Sequence, residues 1–500
     1  MGKRPIALVG AALLALASLG GCRQGETGEV RALVIGERQP RLADPASGTL
    51  TPADLVLMEN AAQGLVRFDA AGNIVPGLAQ RWAVSNDGLS YVFRLKSGDW
   101  SDGRRVRARD VVRVLERQLA RSSRNPLKDT VGAIRQIAAM TDRVVAIELS
   151  APRPHLLQLL AQPEFGLVRE GRGTGPFAVS REEGQVLLTR ELPGLEEGEA
   201  AGEERVQLAA ATAQEAVADF VAGEADLVLG GTSGDLAIAL GARLPRGALR
   251  IDPVAGLFGL VPARSSGLAA DEEVRALLDE ALDRQALVGA LGVTQLQPRT
   301  SLIQPGLDGL AFAPAQPSWA AVPLAERRAA LIERGRALFG RESGAQEPST
   351  TEQGPVVRVS LPSGPGGAII LQRLKADWEP LGLLVEAAAR GQPADFRWVD
   401  AVAPSTSPAW FLRSFRCDVA AICLPDADRL LEAARLTGFA PQRSSFFAEA
   451  ERQMREAVLF IPVAAPVRWS LTARGTEGFA ENRFARHTLA GLREAANTRN

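Results

Sequence analysis

Residues able to do covalent chemistry are sparse in this chain of 500 residues. It carries two histidines, His155 and His487, far apart in sequence. Neither has a ligand partner three or four residues on, the spacing that puts two metal ligands on one helix face. His155 follows Pro154 ahead of the apolar run Leu156 to Leu160 and reads as a helix-start residue, not a base. The chain lacks a G-x-S-x-G elbow, a P-loop and a G-x-G-x-x-G following a strand. Glu196-Glu197 and Glu203-Glu204 are adjacent pairs in what reads as loop, with nothing to place them around a shared substrate. Gly364-Pro365-Gly366-Gly367 links a strand pattern to a helix pattern. Such a helix start can bind an anion, but the interrupting proline favours a plain turn. No catalytic set, metal or cofactor is expected. What remains is binding through weak contacts, which needs a cleft with a few polar groups and aromatic walls.

The composition agrees with that. A formal net charge of −1 argues against a nucleic-acid or polyanion partner, and the length suggests two or three lobes, not one core. The three cysteines divide by context. Lys3 and Arg4 precede an uncharged apolar stretch, Ile6 to Ser18, too short to span a bilayer comfortably. It ends in Leu19-Gly20-Gly21-Cys22, which resembles a bacterial lipobox. That likeness implies a signal over residues 1–21, lipid on Cys22 and a polar tether over 22–29; several acyl chains anchor far more firmly than one. The alternatives are an ordinary signal peptide with an incidental cysteine, or an uncleaved anchor. Cys417 and Cys423 are then an even pair in an oxidising compartment, where a short-loop disulfide is expected and two free thiols are the alternative.

The region most informative about organisation runs from Gly64 to Arg117. Asp69 to Asn73 and Asn86-Asp87-Gly88 are turn signals. Leu89, Tyr91, Phe93 and Leu95 alternate with Ser90, Val92, Arg94 and Lys96, the period of a half-buried strand. Trp100 lies between two further Asp/Gly turns, and a helix follows with Val111, Val112, Leu115 and Leu119 on one face. Arg107 sits where a capping side chain would help, and Asp110 in the first turn compensates through the helix dipole.

This block resembles the entry region of the family 5 extracellular solute-binding proteins, receptors of peptide, oligopeptide and nickel ABC importers. The likeness continues in order: Gly173-Thr174-Gly175-Pro176-Phe177, then Gly223-Glu224-Ala225-Asp226, the helix pattern Val274 to Leu287, and Ile461-Pro462-Val463 with Trp469. It implies an α/β, periplasmic-binding-protein type II-like fold of two lobes with an extra inserted N-terminal subdomain. Lobe I takes residues 30–46, 175–258 and 470–500, the insert 47–174 and lobe III 259–469. It further implies a lipid-anchored monomer in the periplasm, on the inner or outer membrane. Such a protein would bind a peptide or related small solute between its lobes and pass it to an ABC permease and ATPase complex. The alternative is a non-transport envelope lipoprotein of the same fold, acting as sensor, chaperone or scaffold.

In such proteins the segment matching Asp395 to Phe415 often carries a Trp and an Asp that receives a peptide's amino terminus. Trp398, Asp400 and Trp410 lie near those places, at a spacing longer than the usual one. Glu37 edges the expected cleft after the first strand, and Phe258 stands where the chain enters lobe III. Leu192 to Arg205 and Gly340 to Gly354 read as solvated loops.

Overall fold

The computed structural model describes residues 29–182, 185–192, 202–307, 310–342, 354–389 and 391–494. Cys22, the signal and nearly all of the tether lie outside them, as does most of the two polar loops.

Two sheets define two lobes, as expected. In lobe I a seven-stranded sheet has the first strand, Glu29–Ile35, parallel to both Gly202–Ala211 and Leu227–Thr232. Arg468–Thr472 joins the edge of Leu227–Thr232 antiparallel, and Leu249–Ile251 follows it. Val30, Ala32 and Val34 alternate inward to meet Val206, Leu208, Leu227 and Leu229 in one core. Lobe III has a five-stranded sheet in which Gly256–Pro262 lies between Phe396–Val402 and Ile461–Pro462. The inserted part has its own four-stranded antiparallel sheet, with Phe93, Trp100, Val111 and Ile147 in its core.

The pairing places the boundaries differently from the sequence reading. Gly256–Pro262 pairs wholly within lobe III, so the first crossing between lobes falls at Asp252 to Ala255. The second falls between Ile461–Pro462 and Arg468–Thr472. Helix Pro52–Ala61 packs Ala53, Leu57 and Ala61 into the lobe I core, so the insert begins after it.

Local elements follow their sequence signals where burial is one-sided. Ser90–Leu95 alternates buried and exposed residues. Helix Ala108–Leu119 starts at Arg107, whose N–H donates to the Asp110 carboxylate over 3.3 Å, a compensation that is geometric as well as electrostatic. Two expectations fail. Gly202 to Arg205 is not loop but the start of a strand paired to Gln185–Leu192; Glu204 is buried there against Arg190 at 2.5 Å. The helix expected over Val274 to Leu287 is two helices, Glu272–Ala281 and Arg284–Ala290. Asp283 interrupts it: its N–H donates to Asp377 at 3.0 Å and its carboxylate accepts the Ala286 N–H at 2.9 Å.

Behind that break lies a buried charged cluster. The Asp279 carboxylate is held by the guanidinium groups of Arg284 and Arg455, all three at most 5% exposed. Arg284 also donates to the Pro462 carbonyl at 2.7 Å, at the mouth of the second crossing. Removing the shared carboxylate strands two buried cations. Asp279→Ala is therefore expected to lower stability by about 3–5 kcal/mol, read as a lower urea midpoint at unchanged slope. A loss under about 1 kcal/mol would show that the cluster is not held by charge.

Candidate functional site

The region where the lobes meet has a hinge side and a jaw side. At the hinge, Phe258 and Asp400 are directly paired across the lobe III sheet, next to the first crossing. Arg468 opens the return strand of lobe I. Its guanidinium reaches Asp400 Oδ1 at 2.5 Å and the Asp400 carbonyl at 3.1 Å, while Ser233 Oγ of lobe I donates to Asp400 Oδ2 at 2.8 Å. Both carboxylate oxygens of Asp400 are thus engaged by the opposite lobe. Trp398 and Phe258 are buried in the lobe III core, edge to face with centroids 4.9 Å apart. Glu37 is exposed beyond the end of the first strand.

On the jaw side, the Gly364 to Gly367 turn meets lobe I backbone. Gly366 N–H donates to the Gly234 carbonyl at 2.9 Å. A Cβ on Gly366 would overlap the Ser233 carbonyl, and one on Gly364 would stand 2.6 Å from the Gly234 carbonyl. These glycines serve close approach of one lobe to the other. The inserted part grips the same lobe separately. Gln162 Nε2 donates to the Pro404 carbonyl at 2.8 Å, and Gln158 Oε1 accepts the Thr406 N–H at 2.9 Å. His155 Nδ1 lies 3.2 Å from Thr406 Oγ1, at the head of helix Leu156–Leu160, the helix-start place read from the sequence. The jaws are closed.

Between the insert and lobe III these contacts leave a cavity of about 710 Å³, a size usual for a small-molecule site. Its lobe III wall comes from Ser405 to Arg413, part of the segment singled out in the sequence, and from helices Pro425–Leu436 and Ala440–Glu456. Trp410 lies on this wall; Trp398, Asp400, Phe258 and Glu37 do not. The lining also holds Arg153 from the insert and Arg413, Arg435 and Arg443 from lobe III. Burial, then the nearby Arg413, Arg435 and Arg443, lowers the Arg153 guanidinium to about 10, so it stays cationic at neutral pH. Burial also lowers Arg413 and Arg443. Sequence reading missed these arginines. Arg413 stood inside the chosen segment, but nothing local marked the other three. A second cavity, of about 760 Å³, is lined by both crossing segments and by no residue of the insert.

Cys417 and Cys423 are joined in a disulfide at the rim of lobe III, with Cα atoms 5.0 Å apart. Among the described residues, no helix is long and apolar enough to cross a membrane.

The family profile of bacterial extracellular solute-binding proteins, family 5 (Middle), matches residues 73–401. The chain belongs to this family, whose members bind solutes and are not enzymes. It is 23% identical over 491 residues to the probable di/tripeptide-binding protein 5 of Pseudomonas aeruginosa, covering 85% of this chain and 88% of that one. It is 30% identical over 131 residues to the probable deoxycholate-binding periplasmic protein YgiS of Escherichia coli, covering 23% of this chain and 24% of that one. Among solved structures, Haemophilus influenzae OppA in complex with RPPGFSPFR superposes with a TM-score of 0.78 at 16% identity, covering 94% and 99% of the two chains. The murein tripeptide binding protein MppA of Escherichia coli gives 0.76 at 19% identity, covering 93% and 98%. The fold is that of the two-lobed periplasmic binding proteins.

The jaw contact has a direct test. Gly366→Ala is expected to push the Ser233 backbone away and hold the lobes apart, because the obstructing atom is backbone and cannot swing aside. Small-angle X-ray scattering should give a larger radius of gyration than wild type, with an unchanged circular dichroism spectrum. An identical scattering profile would mean that this contact does not set the closed shape.

Proposed function

We propose that this protein is the substrate-binding subunit of an ABC importer. It captures a peptide or related small solute between insert and lobe III and delivers it to a membrane permease and its ATPase. Cys22 carries the lipid that tethers it on the periplasmic side. It acts as a monomer and catalyses no reaction. The observation that carries this reading is the cavity of about 710 Å³ between insert and lobe III, backed by Trp410 and lying beside the Gln158 and Gln162 contacts that join the two. Binding there is coupled to closure because the wall belongs to both moving parts. The names of the di/tripeptide-binding relatives support a peptide cargo. Trp410 is the ligand contact among the residues chosen from sequence. Asp400, engaged by Arg468 and Ser233, serves the hinge.

Thermal unfolding against a panel of di- to pentapeptides tests the reading. Ligand at a hundredfold excess over Kd stabilises the folded state by about 2.7 kcal/mol, a rise of a few degrees. Native mass spectrometry of the same mixtures should show one solute per chain. Silence across the panel, with a shift on another solute class, would remove peptides as cargo. Silence on every class would leave the non-transport envelope role.

A further inference from the structure

The four arginines of the cavity wall come from separate parts of the chain. Arg153 precedes helix Leu156–Leu160 of the insert, Arg413 ends helix Pro408–Arg413, and Arg435 and Arg443 lie on the two following helices of lobe III. Their charges are poorly matched. Arg435 is paired with Glu432 on its own helix. Among the described residues, Arg153, Arg413 and Arg443 have no carboxylate within 4.0 Å; Asp129 and Asp418 act on Arg413, and Glu432 on Arg153, only from further off. Arg153 spends two donors on the carbonyls of Pro152 and Arg435, at 3.0 and 3.5 Å. Among the described residues, the Arg443 guanidinium makes one hydrogen bond, to the Thr437 carbonyl at 3.4 Å. The rest of the lining mixes apolar side chains, among them Leu156, Leu159, Phe312, Trp410 and Phe447, with His155, Thr130 and the hydroxyls of Ser405, Ser407, Ser444 and Ser445. Partly buried like charges repel, and burial makes each dearer to hold. A protein carrying such a group in a closing cleft gains most from a bound counter-charge.

We infer that this cavity takes a carboxylate-bearing ligand with an apolar body, its anionic end held by Arg153, Arg413 and Arg443 and its body against Trp410 and Phe447. This rests on the solute-capture reading and narrows it. A guanidinium offers paired donors that match a carboxylate's two oxygens, and three of them around one space suit an anion better than a neutral amide. The carboxylate belongs either to a peptide's C-terminus or to a free organic acid.

The test compares three panels by thermal shift and calorimetry at pH 7: apolar di- to pentapeptides with free C-termini, the same peptides amidated, and apolar monocarboxylic acids. Free-acid peptides or organic acids should bind and amidated peptides should not; which panel responds identifies the source. Arg413→Gln should weaken that ligand about 10- to 100-fold, and affinity should fall with added salt. The unliganded variant should melt no lower than wild type, since it loses a repelled charge; Arg443→Gln is the second variant should the first fail to fold. Equal binding of free and amidated peptides, or an unaltered affinity in both variants, overturns the anion assignment while solute capture stands. Failure of all three panels overturns the anion assignment too, and solute capture falls with it only if every other solute class is also silent.

Discussion

Asp400 is where the two lobes are pinned. It lies beside the first crossing through its pairing with Phe258, and its partner Arg468 is the first residue after the second crossing. An ion pair that spans both crossings at short range ties the lobes together beside the hinge. A single carboxylate takes Arg468 on one oxygen and Ser233 on the other, so neither the cation nor the acid is left partly desolvated without a partner. The jaw contacts are of another kind. They are neutral hydrogen bonds, Gly366 to Gly234 and Gln162 to Pro404, each exchangeable with water at small net cost. A permanent charged pin and dispensable neutral jaws are what a clamp needs if it must open often and keep its alignment.

The closed jaws also set how near the lobes come. Gly364 and Gly366 bring lobe III against the Ser233–Gly234 backbone with no side chain between. The N-terminal end of helix Pro365–Trp378 is therefore met by lobe I carbonyl groups, which is why the glycine turn does not present a free anion site. The space for a solute is displaced outward, to where insert and lobe III face each other across larger side chains.

Much of this was readable from the chain. Alternation over Ser90–Leu95 and the apolar face of Ala108–Leu119 are local signals, and local signals survive folding when one face is buried. The ordered series of motifs carried the two-lobed fold. Long-range polar contacts were not readable. The break at Asp283 depends on Asp377, and the strand at Gly202 to Arg205 holds because Arg190 neutralises Glu204. At the site, the segment Asp395 to Phe415 contains part of the cavity wall in its last residues, Ser405 to Arg413. Trp398 and Phe258 are instead consumed by the core, as large aromatics commonly are. The arginine wall draws on residues up to 290 positions apart, from Arg153 to Arg443, a relation no spacing rule contains.

The crossings themselves explain why motion is confined. Lobe III ties down both ends with buried guanidinium groups: Arg299 donates to the Gly256 carbonyl at 2.8 Å, and Arg284 to that of Pro462 at 2.7 Å. Arg299 N–H adds a bond to the Val463 carbonyl at 2.7 Å. On the far side Asp252 accepts the Asn482 N–H at 2.9 Å, and Trp469 Nε1 donates to the Thr232 carbonyl at 2.9 Å. The linking stretches are Pro253 through Ala255, whose last carbonyl accepts the Ala403 N–H of lobe III, and Ala464 through Val467, and each contains a proline, Pro253 or Pro466, whose φ is fixed. Two short, stiffened linkers anchored at both ends permit rotation about one axis and little else. Arginine suits the anchoring because its donors satisfy several carbonyls at once where a strand pair ends. The cost is burial of a cation, visible in Arg299, whose guanidinium burial lowers to about 10 despite the nearby Glu451. The ends of both linkers on the lobe III side are thus held by buried guanidinium groups of that lobe's own framework.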